Sequence, residues 1–275
     1  MSPVQSLSDP RYVSHQYKTA ANLNARIRLH QLFSTNKYGW QRWLFDRFQL
    51  LPGGRVLELG CGDGLLWLEN LDRLPGGGEI LLSDLSAGMV RQARENLAHH
   101  AHSRYPGLSD GFQFQVMDAQ SIPYGDHHFD VVIASHMLYH VPDRARALSE
   151  IRRILKPGGR FYASTNGQDS LWELNDLVTR FDPGLAEWGR LPSGAFGLEN
   201  GEAQLREHFS AVELYRYPDA LVVTDPAPLV EYILSGRIVL SPERQAELAG
   251  FVRRQLQANG GRFYITKDSG VFEAR

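Results

Sequence analysis

The stretch Arg55-Val-Leu-Glu-Leu-Gly-Cys-Gly-Asp-Gly64 constrains the fold of this chain more than any other. A short apolar run, VLEL, breaks into three glycines spaced G-x-G-x-G, and Leu65-Leu66-Trp67-Leu68 follows. This pattern predicts a buried parallel strand that turns tightly into a helix. Gly60 can take backbone angles that a side chain forbids, and Gly62 lets a ligand approach the main chain closely. The N–H groups at the helix start lack intrahelical partners and face whatever sits on the turn. The turn is therefore suited to hold a polar ligand against the backbone.

A strand–helix alternation surrounds this turn. Residues 1–11 read as a loose start, and Tyr12 to Leu50 as two helices broken at Ser34-Thr-Asn-Lys-Tyr-Gly39. After the first strand come a helix near 65–73 and a strand at 79–83. A helix capped by Ser86 follows, carrying Met89, Val90, Ala93 and Leu97 on one face, and then a loop at 98–111. Strands at 112–117 and 129–134 follow, then a helix capped by Asp143 and stopped by Pro157-Gly-Gly159, and a fifth strand at 160–164. The alternation predicts an α/β fold, a doubly wound, mostly parallel sheet covered on both faces. It breaks after Thr165: residues 166–209 read as helical and irregular, 211–217 as a strand, 226–235 and 242–258 as helices, and 262–273 as one last strand. Four segments result: an N-terminal helical lid (1–50), a ligand-binding core (51–165), a helical cap (166–210) and a C-terminal completion of the sheet (211–275).

Composition narrows the class of function. The 275 residues are 43% hydrophobic and 22% charged, with a net charge of −2. No basic excess calls for nucleic acid, and no apolar run approaches the ~18 residues of a membrane span. The first residues lack the charged-then-apolar pattern of a signal peptide, and Cys61 is the only cysteine; a cytoplasmic protein is expected.

Ligands of open α/β sheets bind outside the C-terminal ends of the strands. Four segments end there: the glycine turn, Ser83-Asp84-Leu85-Ser86, Met117-Asp118-Ala119, and Ser135-His-Met-Leu-Tyr-His140. Asp84 lies 22 residues after Gly62, where a carboxylate can accept two hydrogen bonds from a ribose diol. Asp118 can accept from an exocyclic amine. Both aspartates also suit helix caps or turns. Cys61 reads as a small filler between glycines. His99, His100 and His102 resemble a metal cluster but lack a carboxylate or cysteine at ligand spacing, so a solvated loop is the expectation, and no metal. A dinucleotide fingerprint needs G-x-G-x-x-G, whereas here Leu65 holds the third glycine's place and Gly64 comes one residue early. Glu58 and Asp63 beside the turn disfavour a pyrophosphate and suit a ligand that carries positive charge.

Glu58-Leu-Gly-Cys-Gly-Asp-Gly64, Asp84, Asp118-Ala119, Phe129-Asp-Val-Val and Leu155-Lys-Pro-Gly-Gly159 together resemble class I S-adenosylmethionine-dependent methyltransferases. Residues 121–159 are similar to the small-molecule group that includes the ubiquinone/menaquinone methyltransferases. The resemblance covers about 53–165. It implies a Rossmann-like sheet of seven strands, the last antiparallel, with the N-terminal helices and the insertion after strand five over the substrate. It further implies that Gly60 and Gly62 pass under the methionine part of the cofactor and that Glu58 holds its ammonium. Asp84 would bind the ribose, with Leu85 and Met89 against adenine and Asp118 and the Ala119 backbone on its amine. Ser135 would lie near the methionine moiety, and Tyr17 would close over the cofactor from the lid. S-adenosylhomocysteine is the implied product.

The sulfonium of such a cofactor is already a strong electrophile, so the protein's task is alignment and exclusion of water. A base is needed only where the acceptor must lose a proton. His140 and His136 are the candidates, with Tyr17 as a helper, and a structural or substrate-shaping role is the other reading of His140. Trp40, Trp172, Trp188, Phe196 and Tyr232 are expected to line an aromatic pocket for an aromatic or lipophilic small-molecule acceptor. No Asn-Pro-Pro-Tyr-like tetrapeptide follows the fourth strand, which counts against amino methylation of nucleobases. Three alternatives stay open: a nicotinamide-dependent oxidoreductase, a non-catalytic binder of the same cofactor, and a non-methyl use of it such as aminopropyl transfer or cyclisation. Oligomeric state is not readable from the sequence.

Overall fold

The computed structural model describes residues 21–104, 111–189, 194–236 and 238–275. Tyr17 and the first part of the lid lie outside the described residues. Two helices enter first, α1 (Ala21–Phe33) and α2 (Trp40–Phe45), separated at 34–39 as the sequence predicts. Strand β1 (Arg55–Leu59) then lies near the middle of a seven-stranded sheet of order β3-β2-β1-β4-β5-β9-β6. Its partners are β2 (Glu79–Asp84), β3 (Phe112–Val116), β4 (Phe129–Ser135), β5 (Leu155–Asn166), β6 (Val212–Tyr217) and β9 (Ser269–Ala274). β1 to β5 run parallel, and β9 is antiparallel to both β5 and β6, in line with the expected antiparallel last strand.

The near-continuous apolar runs of the central strands follow from burial on both faces. Leu57, Leu59, Val132 and Ala134 point into one core with Phe161 and Phe272. Val56, Val131 and Ile133 point into a second with Trp67 and Tyr162. Short α3 (Leu65–Leu68) follows the glycine turn, and α4 (Ala87–Arg104) and α5 (Arg144–Ile154) cover the sheet. Asp143 caps α5 by accepting from the Arg146 amide at 3.0 Å, and Ala147, Leu148, Ile151 and Ile154 form its buried face.

A third core sits over the C-terminal ends of the strands. Helices α6 (Trp172–Phe181), α8 (Pro226–Leu234) and α9 (Pro242–Ala258) pack with α1 around a small antiparallel sheet of β7 (Ala220–Val223) and β8 (Phe263–Thr266). Leu29, Leu177, Leu221, Ile233, Val252 and Ile265 meet there, one from each element. The remaining helix, α7 (Gly201–Arg206), precedes β6.

Three expectations change. The 98–111 loop begins later, because α4 runs on through Ala98 and Ala101 to Arg104. The single strand over 262–273 is two, in different sheets: the polar pair Lys267-Asp268 interrupts an otherwise continuous β-forming run. Consequently only β6 and β9 of residues 211–275 complete the main sheet, and the rest belongs to the cover.

Candidate active site

The glycine turn owes its shape to three positive φ angles, 71° at Gly60, 55° at Gly62 and 82° at Gly64. A Cβ at Gly60 would also stand 2.8 Å from the Met137 Cβ, so the turn packs directly on the loop after β4. Asp84, the last residue of β2, accepts from the Gly62 amide at 3.1 Å and from the Ser86 amide at 2.8 Å. These bonds fix its carboxylate beside the turn and leave further lone pairs on both oxygens. Asp118 accepts from the Gln120 amide at 2.9 Å and from the Gln120 side chain. It is thus a turn former that also faces the cavity.

The turn, Asp84, Asp118 and the loop after β4 wall one side of a cavity of about 890 Å³, with α1, the 34–41 segment and the β7–β8 side opposite. Glu58, Gly60, Gly62, Asp84, Leu85, Asp118, Ala119, Ser135, His136 and His140 all line it. Met89 does not: it is buried beneath α4 with only 1% of its surface exposed, because the apolar stripe of that helix faces inward. Of the expected aromatic wall, Trp40 and Tyr232 line the cavity. Trp188 and Phe196 are core residues, and Trp172 is 55% exposed at the start of α6. Aromatic character marked all five as pocket wall but carried no direction.

The charges of the cavity divide cleanly among the described residues. The wall from the sheet ends, residues 58–142, presents Glu58, Asp63, Glu69, Asp84 and Asp118 and no lysine or arginine. The wall from the cover presents Arg26, Lys37 and Lys267 and no carboxylate. Glu58 is the extreme case. It is 2% exposed and accepts from the Trp67 indole at 2.6 Å. Burial raises its carboxyl to about 8, against that hydrogen bond and with help from the charges of Asp84 and Asp63. A buried carboxyl with two acidic neighbours and no cation suits a positively charged ligand, and a pyrophosphate poorly.

His136 has φ 52°, unusual for a side-chain-bearing residue. Its amide donates to Ser164, whose hydroxyl lies 3.0 Å from that of Ser135, and its ring lies 5.1 Å from that of Trp40. Burial, then the charges of Lys267 and His140, lower its imidazole to about 4. His30 on α1 is lowered to about 3, mainly by burial and then by Lys267. Neither His30 nor Lys267 was legible as a site residue: one lies among helical residues and the other in what reads as a continuous strand. Cys61 lines the cavity, but burial pushes its thiol up, as fits a filler rather than a nucleophile. His99 and His100 are exposed on α4, and the His102 side chain lies outside the described residues. Among the described residues no group of three histidines, cysteines or carboxylates is placed to hold a metal, and no helix is long and apolar enough to cross a membrane.

Residues 57–163 match the family described as a methyltransferase domain. Over those residues the chain is similar to class I S-adenosylmethionine-dependent methyltransferases. Of the cofactors weighed above, the match supports S-adenosylmethionine over a nicotinamide. The ubiquinone/menaquinone biosynthesis C-methyltransferase UbiE of Xanthomonas oryzae pv. oryzae (strain MAFF 311018) is 35% identical over 121 residues, 44% of this chain and 46% of that protein. UbiE of Pectobacterium atrosepticum is 33% identical over 142 residues, 52% of this chain and 54% of the relative. The chain thus spans about half the length of the curated relatives it matches. In solved structures, the [4+2]-cyclase SpnF shares the fold with a TM-score of 0.59 at 20% identity, covering 99% of this chain and 97% of that one. Phosphoethanolamine N-methyltransferase 2 of Haemonchus contortus, crystallised with S-adenosylhomocysteine, shares it with a TM-score of 0.57 at 19% identity, covering 98% and 60%.

Proposed function

We propose that this protein transfers a methyl group from S-adenosylmethionine to a small-molecule acceptor held under the cover. The observation that carries the reading is the acidic wall around a glycine turn of three positive φ angles, with Asp84 tied to the Gly62 amide. A sulfonium bearing an amino acid and a ribose fits these groups. Gly60 and Gly62 would leave the backbone open to its methionine part, Glu58 would answer its ammonium, and Asp84 would accept from the ribose hydroxyls. Leu85 and the Ala119 amide would flank the adenine, with Asp118 on its amine, and Ser135 would lie by the methionine moiety. When bound, the cofactor supplies an electrophilic methyl.

The residues of the chain then have three tasks. The walls exclude water, which would otherwise solvate the acceptor. Trp40 and Tyr232 hold an aromatic or lipophilic acceptor in line with the methyl. His140 takes the proton where the acceptor must lose one, since burial keeps the imidazole of His136 a weak base. Carbon is the atom named for the UbiE relatives, and carbon methylation is the first chemistry to assay. Among the described residues, three cations on the cover against five carboxylates opposite make no basic groove for a nucleic acid, and a nucleic-acid acceptor is not proposed.

The test is calorimetric titration with S-adenosylmethionine, S-adenosylhomocysteine and NAD, followed by an acceptor screen read by S-adenosylhomocysteine release. Micromolar binding of the adenosyl ligands, no binding of NAD and stoichiometric S-adenosylhomocysteine are expected. Binding of NAD alone overturns the reading, and methylthioadenosine as the product would mean transfer or cyclisation of the aminocarboxypropyl group instead.

A further inference from the structure

The cover side of the cavity holds polar groups that methyl transfer as described above does not use. Lys267 follows β8, and its side chain is only 9% exposed. Its ammonium donates to Asp219 at 2.8 Å and lies 5.3 Å from the centre of the Tyr217 ring. Among the described residues that is its one hydrogen bond, which leaves two N–H donors at a cavity-lining position. Asp219 is itself held by the Ser34 hydroxyl and by the Asn36 and Ala220 amides, so its charge is met without a second bond from Lys267. His30, one helical turn before Ser34, lines the same cavity with a buried Nδ1 that has no hydrogen-bond partner among the described residues. From the opposite wall His136 presents its ring there too, connected by contact to the same place. It packs on Trp40, Trp40 meets Tyr217 edge-on at 5.3 Å, and Lys267 lies over Tyr217.

Buried donors without partners are costly to leave unmade, and a ligand atom that satisfies them gains accordingly. One ammonium and two imidazoles form a receptor for a singly charged, planar anion rather than for a doubly charged one. The geometry points to an acceptor that carries a carboxylate, docked between Lys267, His30 and His136 at the end of the cavity away from the glycine turn. The inference rests on the methyltransferase reading for the word acceptor only; the receptor is defined by the three side chains. It also sets a division of charge along the cavity: a cationic donor on the acidic wall and an anionic acceptor beneath the basic one. None of these residues except His136 lies in the segment that matches the methyltransferase family, so the specificity belongs to the cover of this chain.

The experiment titrates 2-naphthoate, 2-naphthamide and 2-naphthyl phosphate into the full chain, with and without saturating S-adenosylhomocysteine, following tryptophan fluorescence and heat. In the wild type, naphthoate is expected to bind at least tenfold more tightly than naphthamide and more tightly than the phosphate. That preference is expected to shrink to within twofold in His30→Leu. The same is expected in the double variant Lys267→Met/Asp219→Asn, which removes both charges together so that no buried aspartate is stranded. S-adenosylhomocysteine affinity should stay within twofold of wild type in both variants. Equal binding of the acid and the amide, tighter binding of the phosphate, or a preference that survives the variants overturns the proposal. Loss of S-adenosylhomocysteine binding with the carboxylate preference intact would instead remove the methyl-transfer reading and leave the carboxylate receptor standing.

Discussion

The sheet-end wall of the cavity comes from one continuous stretch, residues 58–142, whereas the cover is assembled from α1, from α6 after β5, and from the β7–α8–α9–β8 unit between β6 and β9. The first wall is acidic and the second basic. The first is held by backbone hydrogen bonds at strand ends, such as Cys61 N–H to Ser83 and Gly62 N–H to Asp84. The second is held by an apolar core of its own and a buried ion pair. A wall fixed by strand register leaves little room to vary, while a cover packed from separate helices can be rebuilt around a new acceptor without disturbing the cofactor side.

If the two walls have separate tasks, substitutions should separate them too. The largest effect is expected from Gly60→Val, which needs φ near 71° and drives a Cβ to within 2.8 Å of Met137; S-adenosylhomocysteine binding should fall below detection by calorimetry. His140→Ala should lower kcat about 100-fold with cofactor affinity intact, and an unchanged kcat would mean that this histidine only shapes the pocket. Asp84→Ala removes the acceptor of two ribose hydrogen bonds and should cost roughly 1.5–3 kcal/mol in cofactor affinity; unchanged affinity would break the assignment of the acidic wall to the cofactor.

The smallest effect is a slope rather than a loss. A proton bound in one state and not the other tilts stability by about 1.4 kcal/mol per pH unit. From pH 6.5 up to about 8, Glu58 keeps its proton when folded and loses it when unfolded, so stability falls as pH rises. From 6.5 down to about 4.5, His30 and His136 stay neutral when folded and are protonated when unfolded. Stability then falls as pH drops, two protons outweighing the opposing one of Glu58. Thermal midpoints of the ligand-free protein should therefore peak near pH 6.5, and Glu58→Gln should flatten the alkaline side and steepen the acid one. An alkaline arm unchanged in that variant would show that Glu58 is not the group.

The same division explains what could be read from the sequence. Gly60, Gly62, Asp84, Asp118 and Ser135 follow strand ends, and a parallel strand's alternation with helices fixes which end of it a residue occupies, so their meeting was legible. Met89 was misplaced because a helical stripe gives a face but not whether that face meets ligand or sheet. Trp188 and Phe196 lie outside any helix, where aromatic character alone gives no direction. Lys267 and His30 were invisible, since their meeting depends on β7 and β8 pairing outside the main sheet, and little in the local pattern separates β8 from the strand that follows it. The polar break at Lys267-Asp268 was the one available signal.

Asp219 receives the Ser34 hydroxyl, the Asn36 amide and Lys267, while the Thr35 amide reaches the Ala220 carbonyl. This knot rivets the end of the N-terminal helix to the two-stranded sheet nearly two hundred residues later in the chain. Two pieces of the cover are thereby a single plate hung on one carboxylate rather than separate flaps. Cutting that one carboxylate would change the traffic through the cavity before it changed any chemistry within it.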